Sequence, residues 1–540
     1  MYNMMKTSNI IRNLNGIMVL SVFTSCGSGI TTQSPTTEVT QSITILHTND
    51  IHGNYMPFQT TLGSATSQTG DLERDNLITF EKEAEIGGFA VLATAVKELR
   101  NARGDNNVLL LDSGDTFSDD LLGNLTEGEA VITLMKQLGY DYLSLGNHDF
   151  DYGRERTEEL MKIAGFPFGA ANITDTRTGK SIFNNPYIIK KIGGTRIGIL
   201  SLAYHNTNLT GNSDNMEDLK FRRGSEVIRE YLPELKEKAD IIVLLSHQGT
   251  AVDRLTAEEF SDIDLIIGGH SHDLISKPEK INNTYIVQAL ADAAALGEVE
   301  LQIINNKLAG VKAQHYLLWV SNYRKDPEME SLIQDLRAPH KDYLEEKIAT
   351  ATEIIDRQYK SESTFEKLVG NLLREEYDAD ISFLPGVGYG VSLQGEFTRE
   401  NLYRLFPHPP KVATLILTGE QVKSTLEQTA TNQKPDDKYE VVGGLLQSSG
   451  VSYTLDYTQP IGSRISNVKV NREDLELQKD YKIVTHTGML KGLHRYEELG
   501  KGKNTEKKEI QLNEFTLEKF RALGRLSTPG NMGEVKIIKD

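Results

Sequence analysis

The residues of this chain that could do chemistry fall in five short strings. Asp50-Ile51-His52, Ser113-Gly114-Asp115, Gly146-Asn147-His148-Asp149-Phe150-Asp151, Ser246-His247 and Gly269-His270-Ser271-His272 supply carboxylates, imidazoles and one carboxamide. Donors of these kinds, with no thiolate among them, suit divalent ions of the Zn, Mn, Co or Fe class. Six metal-type residues lie outside the His148 string, too many for one tetrahedral centre. A bridging carboxylate would let two ions sit about 3.5–4 Å apart, the spacing used for phosphoryl chemistry.

Each string directly follows an apolar run: residues 43–46, 108–111, 142–145, 241–245 and 265–267. Short buried strands that end in polar residues imply βαβ units with ligands at the carboxyl ends of the strands. The expectation is therefore that five strands deliver these side chains to one edge of a largely parallel sheet. Amphipathic spacing over 89–99 (Phe89, Leu92, Val96, Leu99) and 127–138 (Val131, Leu134, Met135, Leu138) predicts two of the helices between them. The polar stretch 55–85 interrupts the pattern and reads either as disordered or as a rim over the site.

A chain of 540 residues is too long for one core, so at least two domains are expected. Apolar positions Met329, Leu332, Ile333 and Leu336 suggest a connecting helix over 326–355. Beyond it a helix at 364–376 and strand signals at 381–384, 411–417, 451–455 and 481–484 give a second domain of α+β type. The net charge of −18 argues against nucleic acid as a partner, so an anionic substrate would need bound cations to attract it. Lys6 and Arg12 precede the apolar run 16–23, and Thr24-Ser25-Cys26 follow it, which reads as an export signal too short to span a bilayer. The single cysteine there resembles a bacterial lipobox, so Cys26 would carry the lipid that anchors the mature chain at the cell envelope or in the periplasm; the alternative is a soluble periplasmic protein. Residues 27–41 read as a flexible tether.

Taken together, the five strings resemble the blocks of the calcineurin-like metallophosphoesterases. Thr48-Asn49-Asp50-Ile51-His52-Gly53 and Gly146-Asn147-His148-Asp149-Phe150-Asp151-Tyr152-Gly153, with a second domain behind them, resemble the bacterial 5′-nucleotidase/UDP-sugar hydrolase family. The resemblance implies a four-layer α/β catalytic domain over 42–322, a linker helix over 323–350 and a C-terminal α+β substrate-binding domain over 351–540, preceded by a signal over 1–26. It implies Asp50, His52 and His272 on one ion, Asn147, His247 and His270 on the other, and Asp115 bridging both. Histidine at 272 departs from the glutamine usual in that family. His148 is implied as a group near the leaving oxygen, with Asp151 holding its ring, and Asp149 as a hydrogen-bonding neighbour. The implied activity is hydrolysis of nucleotides, UDP-sugars or 2′,3′-cyclic phosphates by hydroxide generated at the ions.

Elsewhere the resemblance thins. The family's phosphate-gripping Asn-Gly-Gly-Gly-Ile-Arg string aligns with Pro385-Gly386-Val387-Gly388-Tyr389-Gly390, which has neither the asparagine nor the arginine. Tyr496 is the expected base-stacking residue, with Arg495 or Lys491 in place of the missing cation. His47 and His205 are read as packing residues, and His315, His340 and His408 are given no role. Two further readings are a thiosulfohydrolase on the same fold, acting on a sulfur-linked carrier protein, and a non-enzymatic surface lipoprotein.

Overall fold

The structure, a computed structural model, describes residues 41–60, 80, 82–183, 186–275 and 277–539. The expected export signal, Cys26 and nearly all of the tether lie outside these residues, as does the middle of the 55–85 stretch.

The five predicted strands form, but in two sheets rather than one. Gln41–Thr48, Val108–Asp112 and Tyr142–Ser144 run parallel in a six-stranded sheet that Phe168–Gly169 closes on one side and the antiparallel Ala295–Ile304 and Lys307–Leu317 on the other. Ile241–Ser246 and Leu265–Gly268 belong to a second six-stranded sheet, parallel to each other, to Thr195–Leu202 and to Thr284–Val287, with antiparallel strands at both edges. Both sheets are mixed, which corrects the single, largely parallel sheet read from the strand pattern and agrees with the four-layer α/β domain that the resemblance implies.

Side-chain alternation along the strands explains why two sheets are needed. Ile43, Ile45, Leu109 and Leu111 of the first sheet pack in one apolar cluster with Ile197, Ile199, Val243, Leu245, Leu265 and Ile267 of the second. The intervening residues point the other way. Leu46, Leu110 and Leu143 meet helices Phe89–Arg103 and Glu129–Leu138. Leu200, Leu202, Ile242, Leu244 and Ile266 meet Gly224–Lys238 and Thr250–Glu259. The order helix, sheet, sheet, helix makes four layers, and strands buried on both faces have to read as unbroken apolar runs.

The connecting segment is shorter in helix than its periodicity suggests. Asp326 caps Pro327–Arg337 by accepting from Met329 N at 3.0 Å. Pro339 follows, and the β-branched alternation Ile348-Ala349-Thr350-Ala351-Thr352 then forms the strand Lys347–Ile355, paired antiparallel with Leu393–Thr398. The 326–355 helix is thus corrected to a helix followed by a strand. Buried Met329 and Ile333 join the helices of the first domain to Phe365, Leu402 and Phe520 of the second in one cluster. The second domain is built on a five-stranded sheet in which Asp480–His486 lies between Ile381–Leu384 and Lys411–Thr418. Its helices include Thr364–Tyr377 and Gly419–Gln433, the latter opened by a Thr418/Gln421 capping box.

Candidate metal centre

Chemistry collects in the turns that leave the strands. Asp50, His52, Asp115, His270 and His272 all have left-handed backbones, with φ of 50°, 48°, 53°, 73° and 54°. Each such residue costs about 1–2 kcal/mol, and strain of this kind persists where surrounding structure over-determines it, typically at functional sites. Two glycines let the turns touch. A Cβ on Gly114 (φ 99°) would stand 2.5 Å from Gly146 N, and one on Gly146 would stand 2.1 Å from Asp115 Oδ1. Asp149 seals the junction, its carboxylate accepting from Asp115 N and Thr116 N at 2.9 Å each and from Gly146 N at 2.8 Å.

The side chains carried by these turns form two groups, Asp50/His52/His272 and Asp115/His247/His270, each with its donor atoms within 4.8 Å of one another. His52 Nε2 lies 3.0 Å from His272 Nε2, which is 3.2 Å from Asp50 Oδ1. His247 Nε2 lies 3.0 Å from Asp115 Oδ2. Asp50 Oδ1 is 3.9 Å from both His52 Nε2 and His247 Nε2, so the two groups adjoin. Asn147 lines the same cavity.

Neighbouring groups fix the imidazole tautomers. His247 Nδ1 donates to the Ser113 carbonyl at 2.7 Å, and His52 Nδ1 to Asp119 Oδ2 at 2.7 Å, which turns both Nε2 atoms inward, where a bound ion would take the place of the Nε2 proton. Asn147 Oδ1 and His247 Nε2 are buried without a hydrogen-bond partner. Buried polar atoms are rarely left so, and divalent cations would satisfy both. The donor set therefore fits a pair of such ions.

Electrostatics agree. Burial alone would raise the carboxyls of Asp50 and Asp115, yet the facing histidines hold Asp50 down at about 2 and Asp115 well below the usual range. Burial and the neighbouring His247 push His270 down to about 3, keeping it neutral. His148 is also buried, but Asp119, Asp151 and Asp115 outweigh that and hold it charged well above its ordinary value. Its Nδ1 stands 3.0 Å from Asp151 Oδ2.

Four residues of this neighbourhood carried no sequence signal. Asp119, four positions past Asp115, supports His52 and lies 3.6 Å from His148 Nδ1. His408, expected to have no role, stacks on His148 with ring centres 4.9 Å apart. Tyr389 stacks on His52 at 4.6 Å, with its hydroxyl on His408 and 3.4 Å from His148 Nε2. Tyr204 covers His270 face to face at 4.0 Å and donates to the Val441 carbonyl at 2.8 Å. His408, Tyr389 and Val441 belong to the second domain, and no string in the first can announce them.

A cavity of about 790 Å³ lies between the two domains, lined on one side by Asp115, Asn147 and His148 and on the other by Tyr359, Lys438 and His494. Tyr496 does not reach it. It is 1% exposed in the apolar core of the second domain, so the expected base stacking is not available to it. Arg495 is paired with Glu440, and Lys491 lines the cavity while pairing with Asp214. His47 packs edge-on against His315 at 5.9 Å, as a packing residue should.

The calcineurin-like phosphoesterase family matches residues 43–274, and the 5′-nucleotidase C-terminal domain matches residues 347–501. The chain belongs to the 5′-nucleotidase family of calcineurin-like phosphoesterases. This family works by metal-dependent phosphoester hydrolysis with two divalent ions, and the chain is a metal-dependent phosphoesterase of that kind. A 5′-nucleotidase of Vibrio cholerae is 24% identical over 88% of this chain and 90% of its own length. A trifunctional nucleotide phosphoesterase of Bacillus subtilis is 24% identical over 85% of the chain, which spans 34% of that longer protein. Among solved structures, a sulfate thiohydrolase, SoxB, of Thermus thermophilus superposes with a TM-score of 0.83 at 25% identity, covering 92% of this chain and 97% of that one. A 5′-nucleotidase precursor of the same organism gives 0.82 at 24%, covering 93% and 100%, a likeness of fold. As a 5′-nucleotidase-family chain it has the two-domain build expected, a mixed α/β phosphoesterase domain followed by the family's C-terminal domain.

Proposed function

We propose that this chain hydrolyses nucleotides or closely related phosphate esters at the cleft between its domains, which span about 42–322 and 351–540. The observation that carries the reading is the convergence of two ligand-type groups, Asp50/His52/His272 and Asp115/His247/His270, from turns of two sheets, with His52, Asp115, Asn147, His270 and His272 lining that cleft. In this reading Asp50, His52 and His272 hold one ion, Asn147, His247 and His270 the other, and Asp115 both. Bound ions of this class acidify water and neutralise phosphate oxygens. The chain's own contribution is positional. Strained turns fix the ligands, Ser113 and Asp119 fix the imidazole tautomers, and His148, kept charged by its carboxylate neighbours, faces the oxygen that departs with its Nε2 while Asp151 steadies Nδ1. The relatives named nucleotidases support a nucleotide as substrate.

The decisive assay is turnover of metal-loaded protein on a panel of 5′-nucleotides, UDP-sugars, cyclic nucleotides and p-nitrophenyl phosphate. Turnover of none of them by protein carrying two ions would sink the reading. A second reading, thiosulfohydrolase chemistry, is favoured by one observation: the loop 385–390 lacks the family's phosphate-binding asparagine and arginine, and the SoxB structure superposes as well as a nucleotidase precursor does. Activity on a thiosulfonate-bearing carrier without activity on nucleotides would select it.

The charged, apolar and small-residue order before Cys26 supports export with a lipid anchor on that cysteine. Among the described residues no helix is long and apolar enough to cross a membrane. Cys26→Ser should move the protein from the membrane fraction to the soluble one.

A further inference from the structure

The turn that carries two of the first ion's proposed ligands, Asp50 and His52, is gripped from the second domain. Three oxygens just past His52 accept from one guanidinium, that of Arg404: Asn54 Oδ1 from Nε at 2.7 Å, the Met56 carbonyl from Nη2 at 2.9 Å and the Pro57 carbonyl from Nη1 at 3.2 Å. Arg404 stands on the helix Arg399–Leu405, 350 residues from Asn54. Asn54 passes the grip on. Its carboxamide nitrogen donates to Asp292 Oδ1 at 2.8 Å, and Asp292 N donates to the Asp50 carbonyl at 2.8 Å. A run of three hydrogen bonds between buried residues thus leads from Arg404 to the backbone of a proposed ligand.

Joining the domains does not account for this arginine. Arg337 and Glu400 already form a buried ion pair across the same seam at 2.6 Å, with Tyr55 hydrogen-bonded to both. Arg404 has no ion pair among the described residues, and its donors all go to the stretch 54–57. A guanidinium is a rigid fork, so three oxygens bound to it are fixed relative to one another as well as to the helix. The turn needs such fixing. Asp50, His52 and Gly53 hold left-handed backbones, with φ of 50°, 48° and 65°, and strain of this kind persists only where its surroundings over-determine it. On one side the first domain does so, with Asp50 N, His52 N and Gly53 N donating to the carbonyls of Gly114, Asp115 and Thr116 at 2.9, 2.9 and 3.0 Å. Arg404 holds the other side.

We propose that Arg404 is a positioning residue for the first ion: acting through Asn54 and Asp292, it keeps the Asp50–His52 turn in its ligating shape. Affinity at the Asp50/His52/His272 group then depends on the second domain being docked. Asn147 and His247, proposed for the second ion, come from turns that Arg404 does not reach, so that ion is held independently of it. The inference rests on the two-ion reading above and adds control of one ion by the opposite domain.

The test measures metal affinity. Full-length protein is stripped with chelator and titrated with Mn²⁺ or Zn²⁺ in competition with a chromophoric chelator, which resolves the two dissociation constants. Arg404→Gln is expected to weaken one of them by about 10–100-fold, the usual cost of losing a group that holds a ligand in place, and to leave the other as in wild type. Asn54→Ser should weaken the same ion, and the two losses should combine to less than their product, because both residues act along one path. Arg399→Gln is the control for stability alone. It removes an arginine of the same helix, 7% exposed against 6% for Arg404, that pairs with Glu346 and Glu514 instead, and it should leave both constants unchanged. Unchanged constants in Arg404→Gln, equal weakening of both ions, or the same loss in Arg399→Gln would overturn the proposal while the ion pair stood. Should Arg404→Gln fail to fold, Asn54→Ser decides, and wild-type constants there overturn the proposal. Wild-type protein that binds fewer than two ions overturns the two-ion reading itself, and this inference with it.

Discussion

The two halves of the cleft are built on different principles. On the first-domain side every ligand-type residue sits in a turn fixed by its own strand, by a glycine contact or by Asp149, and five residues in three of those turns hold backbones that bulky residues avoid. On the second-domain side the lining comes from loops that meet only when the domains pack: Tyr389 from the loop after Ile381–Leu384, His408 from the segment before Lys411–Thr418, and residues 439–441 docked on Tyr204 and His205. One wall is set locally and the other by assembly.

The sharpest break in this comparison comes from Asp115→Ala, which should remove turnover altogether and metal loading with it, as read by steady-state assay and ion counting. Full activity would show that the first-domain wall is not where the reaction happens. His148→Ala should keep the ion pair and lower kcat by about 10²–10³-fold, the usual loss when one group stabilising a developing oxyanion is removed. If KM alone changed, His148 would belong with recognition rather than with chemistry.

On the other wall, Tyr496→Ala should destabilise the fold by about 3–5 kcal/mol, as emptying a buried aromatic site does, and leave the KM for nucleotide unchanged in whatever protein stays folded at low temperature. A raised KM with unchanged melting would return Tyr496 to the substrate site. The smallest effect concerns Asp112, buried beneath the Asp115 turn. Burial raises its carboxyl to about 7, against hydrogen bonds from Thr116, Thr48 and Gly114 N that pull the other way. The folded chain keeps a proton there that the unfolded chain releases near 3.8, so stability should fall from about pH 4 to pH 7 and level off above, by at most about 1.4 kcal/mol per pH unit from this group. Asp112→Asn should flatten that part of the profile in chemical denaturation of metal-free protein.

The same division explains what could be read from the chain directly. The ligand strings were legible because strand, turn and ligand are contiguous, so that Leu145-Gly146-Asn147-His148 carries its own geometry. The division of the strands between two sheets was not legible in the strand pattern itself, since buried strands look alike whichever sheet they join; only the family resemblance implied it. The helix ending at Arg337 was overrun because charged residues at helical spacing continue past Pro339, while the pairing that makes 347–355 a strand lies some forty residues on in Leu393–Thr398. Asp119, Tyr389 and His408 escaped because their meaning depends on partners far away in sequence. Tyr496 was misplaced for the opposite reason: an aromatic beside a cation looks like a ligand clamp, and only packing shows that it faces inward.

The seam between the two sheets also dictates when the protein can first seize its ions. A growing polypeptide that has emerged only through residue 240 already carries Asp50, His52, Asp115 and Asn147, yet it lacks all three imidazoles supplied by the later strands Ile241–Ser246 and Leu265–Gly268. On the proposed ligand assignment, the full set of donors comes together only when the second layer of strands closes over the first.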